Sequence, residues 1–185
     1  MVRLALSCLA LGVGLAACLN FRKQADGKAP GDMLGTYHVA GKLDTSTSTC
    51  GDGALGSSPT WKFDVKLTRF DNDIYWLNGQ ETIPGDIASD GRTFSILSEV
   101  EVQVSPAGPG KPGCAVMRHD DAEGKLSASG TDVESFGGTL TFRYEVIEGS
   151  DCSAWIGTDG AVDTLPCEIS YKIDGERSDS DAGTK

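Results

Sequence analysis

The chain has 185 residues, with 27 acidic and 16 basic side chains, and its formal net charge at pH 7 is −11. Because binding to polyphosphate depends on Lys and Arg, this balance excludes nucleic acid as a partner, and we interpret the acidity as serving solubility rather than recognition of a cationic partner. The length suits a single domain with one hydrophobic core.

Residues 1–17 have the composition of an export signal. Arg3 is the only charged residue among them, and an uncharged apolar run ends in small residues. The run is shorter than the roughly 20 residues that span a bilayer comfortably, which argues against a permanent transmembrane helix. An ordinary secretory signal followed by a chance cysteine is the alternative interpretation.

The end of this signal, Leu15-Ala16-Ala17-Cys18, resembles the lipobox of bacterial lipoproteins. The resemblance implies cleavage before Cys18, diacylation of its thiol and acylation of the new amine, so that palmitate-like chains anchor the protein in a membrane. Leu19 stands where many inner-membrane lipoproteins carry an aspartate, which implies the outer membrane of the cell envelope. Cleavage removes only Arg3 among the charges, so the net charge goes from −11 to −12.

Two polar segments flank the predicted domain. Residues 18–32 contain the lipidated Cys18 and a stretch broken by Gly and Pro, which predicts a flexible tether. Residues 174–185 have almost no apolar content, which predicts a disordered tail. The folded domain is predicted over residues 33–173.

Within this domain, apolar residues recur at every second position, which predicts strands and no helix. In the stretch WKFDVKLT, residues 61–68, the aromatic and aliphatic side chains share one parity and the polar side chains share the other. Turn signals such as Asn78-Gly79 separate the runs. Nine strands are predicted, near residues 34–43, 60–69, 74–78, 80–88, 93–104, 114–119, 125–129, 138–147 and 167–173.

Short strands joined in order predict an all-β fold, an antiparallel up-and-down meander of eight or nine strands that closes into a barrel and so hides its edges. A β-sandwich is the alternative. Gly35-Thr36-Tyr37 opens the first strand much as the Gly-X-Trp signature opens a lipocalin, and the meander is similar to that barrel family. The resemblance implies a lipocalin-like barrel.

Four cysteines follow Cys18, and an even number in an exported chain predicts two disulfides. No two of them lie two to four residues apart, which disfavours a zinc site. Counting nine strands from one barrel end to the other predicts the pairs Cys50–Cys114 and Cys152–Cys167. The second bridge would close a loop that displays Trp155.

The aromatic side chains are the candidate contact residues. The parity of Trp61, Phe63 and Trp76 directs them to the barrel interior, which in an eight-stranded barrel is either packed or holds one small ligand. Tyr75 has the opposite parity and Trp155 lies in a predicted loop, so both are candidates for contact with a protein partner.

Catalytic signals are weak, and we predict no enzyme activity, no cofactor and no metal. The chain lacks a Gly-X-Ser-X-Gly motif. His119-Asp120-Asp121 is better explained as a polar strand end that enters a turn than as part of a metal site. Glu99 and Glu101 share a strand face that we expect to be solvated.

These features lead to two functional hypotheses for a lipid-anchored envelope protein. In the first, the barrel is a binding module for a protein or a small apolar ligand. In the alternative, the protein is a structural or inhibitory lipoprotein that acts through the disulfide-closed loop. An internal volume of several hundred cubic ångströms would favour a small ligand.

The lipidation hypothesis makes a direct prediction. Replacing Cys18 with serine removes the thiol that would be acylated, so the variant should partition into the aqueous phase of a detergent extraction while the parent chain enters the detergent phase. Equal membrane fractionation of the two proteins would contradict the assignment of the anchor.

Overall fold

The structure is a computed structural model that describes residues 29–79, 81–157 and 161–178. Its eight antiparallel strands form a closed barrel in which each strand pairs with its neighbours in sequence and β8 pairs with β1. The predicted up-and-down barrel is confirmed, and the sandwich alternative is wrong. The strands are β1 (Asp32–Leu43), β2 (Thr60–Phe70), β3 (Asp73–Leu77), β4 (Thr82–Ile87), β5 (Thr93–Ser105), β6 (Cys114–Leu126), β7 (Ser135–Val146) and β8 (Cys167–Arg177).

Loops at the two ends of the barrel differ in length. We call the end where β1 begins the lower end and the end where β1 finishes the upper end. Only two 3₁₀ turns interrupt the loops of the described chain, Ala54–Gly56 between β1 and β2 and Ser153–Trp155 between β7 and β8. Neither turn is nearly long enough to cross a membrane as a helix.

Alternation determines which side chains form the interior. On β2, Val65 and Leu67 are almost fully buried while Asp64 is exposed. A strand directs successive side chains to opposite faces, so a strict alternation of apolar and polar residues is satisfied when one face lines a barrel. The same parity continues across the register, since Val65 lies opposite Tyr37 on β1, which is also buried.

The largest correction to the strand assignment concerns β6. The sequence predicts two strands with a loop over residues 120–124, but residues 114–126 form one continuous strand. Both neighbours pair with it through the polar stretch, where Asp120 lies opposite Ser98 of β5 and Phe142 of β7. Pairing on both edges satisfies the backbone of a central strand, so polar side chains there do not end it.

The last strand also extends beyond its predicted end at residue 173. Residues 174–177 belong to β8, and Glu176 lies opposite both Ser135 of β7 and His38 of β1. The predicted tail therefore begins too early, because charged residues at the end of a strand face solvent while their backbone closes the barrel. Residues 179–185 lie outside the described residues, as do the predicted signal sequence and the predicted lipidation site at Cys18.

All four predicted disulfide cysteines are bonded, but the predicted pairing is wrong. The bridges are Cys50–Cys167 and Cys114–Cys152, with Cα–Cα distances of 4.9 and 4.7 Å. Because residues 114–126 are one strand and not two, all four cysteines lie at the upper end. Strand adjacency then decides the pairing, since the β1–β2 loop lies beside the start of β8 and the β7–β8 loop lies beside the start of β6.

These bridges connect distant parts of the sequence. Their cysteines are 117 and 38 residues apart. In the chain-entropy model, such loops stabilise the fold by about 5 and about 4 kcal/mol respectively, because the crosslinks restrict the unfolded chain. Cys152 and Cys167 belong to different bridges, so one end of the segment between them is held to β6 and the other to the β1–β2 loop, and the segment is not closed on itself.

A dense aromatic core fills the lower end. The centroid of the Phe136 ring lies 5.3 Å from that of Tyr37, 5.8 Å from that of Phe94 and 5.9 Å from that of Trp76. Gly175 faces this ring from β8, where a Cβ atom would come within 2.3 Å of it. The glycine is therefore required by the close approach of the aromatic ring.

The barrel wall is weakest between β4 and β5. These strands share only three residue pairs, from Ile87–Phe94 at the lower end to Gly85–Ile96. The next residue of β4 towards the upper end is Pro84, which has no N–H group to donate to a ladder. The two strands are not paired above this position.

The hairpin of β3 and β4 is also short. Its upper residue on β3, Leu77, lies opposite Lys66, so β2 continues upward without a partner on that side. In the described chain, residues 60–65 of β2 pair only with β1, and residues 97–105 of β5 pair only with β6. We call the gap above the hairpin, between these two segments, the notch.

Burial of the lower-end core makes a prediction about stability. Phe136 is 3% exposed, whereas Phe70 is 53% exposed at the end of β2. Phe136→Ala should lower the free energy of unfolding by about 3–5 kcal/mol because it leaves a cavity, and Phe70→Ala should lower it by less than about 1 kcal/mol. Urea unfolding with intact disulfides measures both values, and similar losses at the two positions would contradict the assigned core.

Candidate functional site

A cavity of about 600 Å³ lies inside the barrel and opens at the notch. Packed protein interiors contain few voids larger than a water molecule, whereas small-ligand sites typically span roughly 300–1,000 Å³. The cavity therefore has the size of a ligand site. It is lined by Trp61, Phe63, Asp64, Trp76, Asn78, Glu81, Ile83, Ile96, Ser98, Arg118, Asp120, Ala122, Leu140 and Phe142.

One wall of the cavity is aromatic. Trp61 and Phe63, which are two residues apart on β2 and so share a face, stack with ring centroids 4.4 Å apart. Trp76 of β3 lies 5.9 Å from Phe63, and Phe142 of β7 lies 6.0 Å from Trp61. Such a continuous set of ring faces and edges can contact a planar or apolar ligand over a large area.

A half-buried ion pair forms the opposite, polar side of the cavity. Arg118 and Asp120 share the inward face of β6, and the Nε and Nη2 atoms of Arg118 donate hydrogen bonds of 2.6 and 2.7 Å to the two carboxylate oxygens of Asp120. The guanidinium carbon also lies 5.2 Å from the centroid of the Phe142 ring. The bidentate geometry and the ring contact hold the guanidinium in one orientation.

The environment of this pair affects two pKa values. Burial lowers the pKa of Arg118, but the hydrogen bonds and charge of Asp120 outweigh it, so this pKa lies above its ordinary value. Burial raises the pKa of the Tyr144 phenol, and the positive charge of Arg118 opposes this shift. At neutral pH Arg118 is therefore a fixed cation in this cavity, and the phenol of Tyr144, which lines a smaller adjoining cavity, is neutral.

A smaller cavity of about 170 Å³ adjoins the first beneath the β1–β2 loop. The two share Trp61, Arg118 and Phe142 as lining residues, so the ion pair lies between them. The 3₁₀ turn Ala54–Gly56 contributes to the roof of the smaller cavity, and Leu55 donates a backbone hydrogen bond of 3.3 Å to the carbonyl of Ala161 in the β7–β8 loop. The two long loops thus brace one another over the upper end.

The structure brings together three of the five predicted contact residues. Trp61, Phe63 and Trp76 line the cavity as their parity predicts. Tyr75 is half-buried on the outer face of β3, where its hydroxyl donates to Asp73 over 3.2 Å. Trp155 is half-buried against the edge of the core at the upper end, so it is not the fully displayed side chain that the predicted loop closure requires.

Both histidines lie on the outside of the barrel. His38 contacts Asp64, and His119 lies 3.0 Å from Glu99 and 3.9 Å from Glu145. Within the three described ranges, no group of three or more His, Cys, Asp or Glu side chains has the arrangement of a metal site. Glu99 is exposed on this outer face, as its parity predicts.

Asp120 and Asp121, for which the sequence predicts a turn, are consecutive residues of β6 and so lie on opposite faces of the strand. Asp120 points inward to Arg118, whereas Asp121 points outward and has a buried Oδ1 atom without a hydrogen-bond partner in the described chain. Burial, followed by the charge of Glu123, raises the pKa of Asp121. The interpretation of these residues as a polar turn is therefore wrong, since they stand in the middle of a strand.

Sequence reasoning missed the ion pair of the cavity. Arg118 and Asp120 have the same parity as the buried Val116 and Ala122, so a continuous strand would have placed both charges in the interior. The division of this strand at residue 119 removed that signal. Opposite charges two residues apart among inward-facing apolar residues are the pattern that could have revealed the pair.

The fold and the cavity define the class of the protein, which is a closed eight-stranded antiparallel barrel with an aromatic, internally charged cavity that opens at the side. Comparisons with protein-family models, with curated proteins and with solved structures give no significant match. The functional argument therefore depends on the residues of this chain.

The ion pair predicts a specific pattern of stability changes. Arg118→Met and Asp120→Leu should each lower the free energy of unfolding by about 1–3 kcal/mol, because each leaves a half-buried charged group without its hydrogen bonds. The double variant should lose clearly less than the sum, because neither charge then remains. Urea unfolding of the four proteins measures this coupling, and additive losses would show that the pair does not act as a unit.

Proposed function

We propose that this protein is a lipid-anchored envelope protein whose barrel binds one small, largely apolar ligand. The observation that carries the proposal is the cavity of about 600 Å³ with its aromatic wall. Trp61 remains 36% exposed within this wall. A large apolar side chain left facing an internal space gains free energy when a ligand covers it, at roughly 25 cal/mol for each square ångström of apolar surface removed from water.

The anchoring part of the proposal depends on the sequence at residues 13–20. The lipobox-like Leu15 to Cys18 segment supports acylation of Cys18, and Leu19 supports transfer to the outer membrane. Several acyl chains together hold a protein stably, so the barrel needs no apolar outer surface for this purpose.

Binding is favoured over catalysis by the placement of the titratable groups. His38 and His119 face away from the cavity. Inside it, Arg118 and Asp120 are committed to one another through two hydrogen bonds. A general base must reach the proton that it removes, and neither histidine is within reach of a molecule in the cavity.

The alternative of a partner-binding loop has less support. That hypothesis depends on a loop closed by Cys152–Cys167, and these cysteines belong to different bridges. Its proposed contact residue Trp155 packs partly against the core. We therefore propose the cavity, and not the β7–β8 loop, as the functional site.

A cavity-filling substitution tests the proposal. Ala122 is 5% exposed on the inward face of β6, so Ala122→Phe should occupy part of the cavity. Binding of the apolar fluorescent probe N-phenyl-1-naphthylamine to the exported full chain should weaken by at least about tenfold in this variant. Fluorescence titration measures the effect.

The matched control is Thr139→Phe, which adds the same ring on the exposed outer face of β7. This variant should bind the probe as the parent chain does. Equal binding by all three proteins, with circular dichroism showing that each is folded, would contradict the assignment of the cavity as the binding site.

A further inference from the structure

Negative side chains outnumber positive ones around the cavity. Among its described lining residues, the carboxylates of Glu81 and Asp120 outnumber the single cation, Arg118. The third acidic lining residue, Asp64, has its carboxylate against His38 on the outer face of the barrel. The whole chain is acidic as well, with a net charge of −11. The local excess of negative charge therefore has the same sign as the field of the whole protein, and both favour the approach of a cation.

The charge of the single cation is already balanced by a carboxylate. Arg118 donates two hydrogen bonds to Asp120, interacts with the Tyr144 hydroxyl and stacks over Phe142. Two of the five N–H donors of Arg118 are used by Asp120, and an anion that used the others would lie beside the carboxylate of Asp120, which repels it. Fatty-acid carboxylates and similar anions therefore meet a net repulsive site.

The carboxylates retain capacity to accept hydrogen bonds. Each oxygen of Asp120 accepts one bond from Arg118, and a carboxylate has about four acceptor positions in total. Glu81 stands at the rim on the hairpin of β3 and β4 and takes part in none of the ion pairs of the described chain. An ammonium group in the cavity mouth could therefore interact with Asp120 inside the cavity and with Glu81 at its rim.

The aromatic wall adds a second, independent preference. The stacked pair Trp61 and Phe63 and the neighbouring Trp76 present π-systems to the same space. Ring faces attract cations, tryptophan most strongly, and the same faces also bury apolar tails. An aromatic wall beside a carboxylate that has no ion pair in the described chain, that of Glu81, is suited to a molecule that is both cationic and apolar.

We propose that the ligand of the cavity is an organic cation, namely an amine or quaternary ammonium compound with an apolar or aromatic body. This inference rests on the proposed function and specifies the chemical class of its ligand. The apolar body lies against the aromatic wall, and the cationic group lies between Asp120 and the rim carboxylate of Glu81.

The test compares three probes with the same tail, dodecylammonium, dodecanol and dodecanoate, each below its micelle concentration. Calorimetric titration of the exported full chain at pH 7 should show binding of the cation at least about tenfold tighter than that of the carboxylate, with the alcohol between them. The preference should fall as salt is raised, because screening weakens the attraction of rim charges.

Charge variants locate the preference. Glu81→Gln should reduce the ratio of cation to carboxylate affinity about threefold. Glu123→Gln removes the same charge from the exposed outer face of β6 and should leave the ratio unchanged. Equal effects of the two substitutions would overturn the proposal, since the preference would then come from the net charge of the protein and not from the cavity.

Cavity-filling variants separate internal from surface binding. Ala122→Phe or Ser98→Phe, whichever retains the circular dichroism of the parent, should remove cation binding. Cation binding that survives both would place the probe on the acidic outer surface and overturn the proposal. If dodecanol binds, and dodecanoate binds as tightly as dodecylammonium or more tightly, the charge preference alone is overturned. If none of the three probes binds, both the charge preference and the proposed function are overturned.

Discussion

The architecture depends on backbone pairing that is very unequal around the barrel. β5 and β6 share twelve residue pairs, whereas β4 and β5 share three. Those three pairs complete the ring of hydrogen bonds that closes the sheet at the lower end. Above them β5 rises without a partner on that side, so the barrel wall between β5 and β2 is open there. The core is thus filled at the lower end, where β4 and β5 pair, and the cavity opens above it, where they do not pair.

Local pattern was sufficient to predict most of the strands. Alternation over residues 61–68 specifies both the strand and its buried face, because a two-residue repeat is satisfied only by a sheet with one side covered. The polar stretch of β6 could not be predicted in the same way. Pairing on both edges keeps residues 120–124 extended, and that pairing involves strands that are distant in sequence.

One such error is sufficient to change every long-range inference that depends on it. Dividing β6 adds one passage along the barrel, which moves Cys152 and Cys167 to the wrong end and forces them to pair with each other. The candidate site shows the same limit. The parity of Trp61, Phe63 and Trp76 identified its aromatic wall, but its volume depends on where β4 stops pairing with β5, and no local pattern encodes that distance.

The chain enters and leaves the barrel at the same end. β1 begins at Asp32 and β8 ends at Arg177, and both positions belong to the lower end with its filled core. Under the proposed attachment through Cys18, this end would be held towards the lipid surface, and the notch would face the aqueous compartment. A bound molecule would then be exchanged with that compartment and not drawn laterally out of the bilayer. The anchor would thereby restrict where the protein acts without restricting what can reach it.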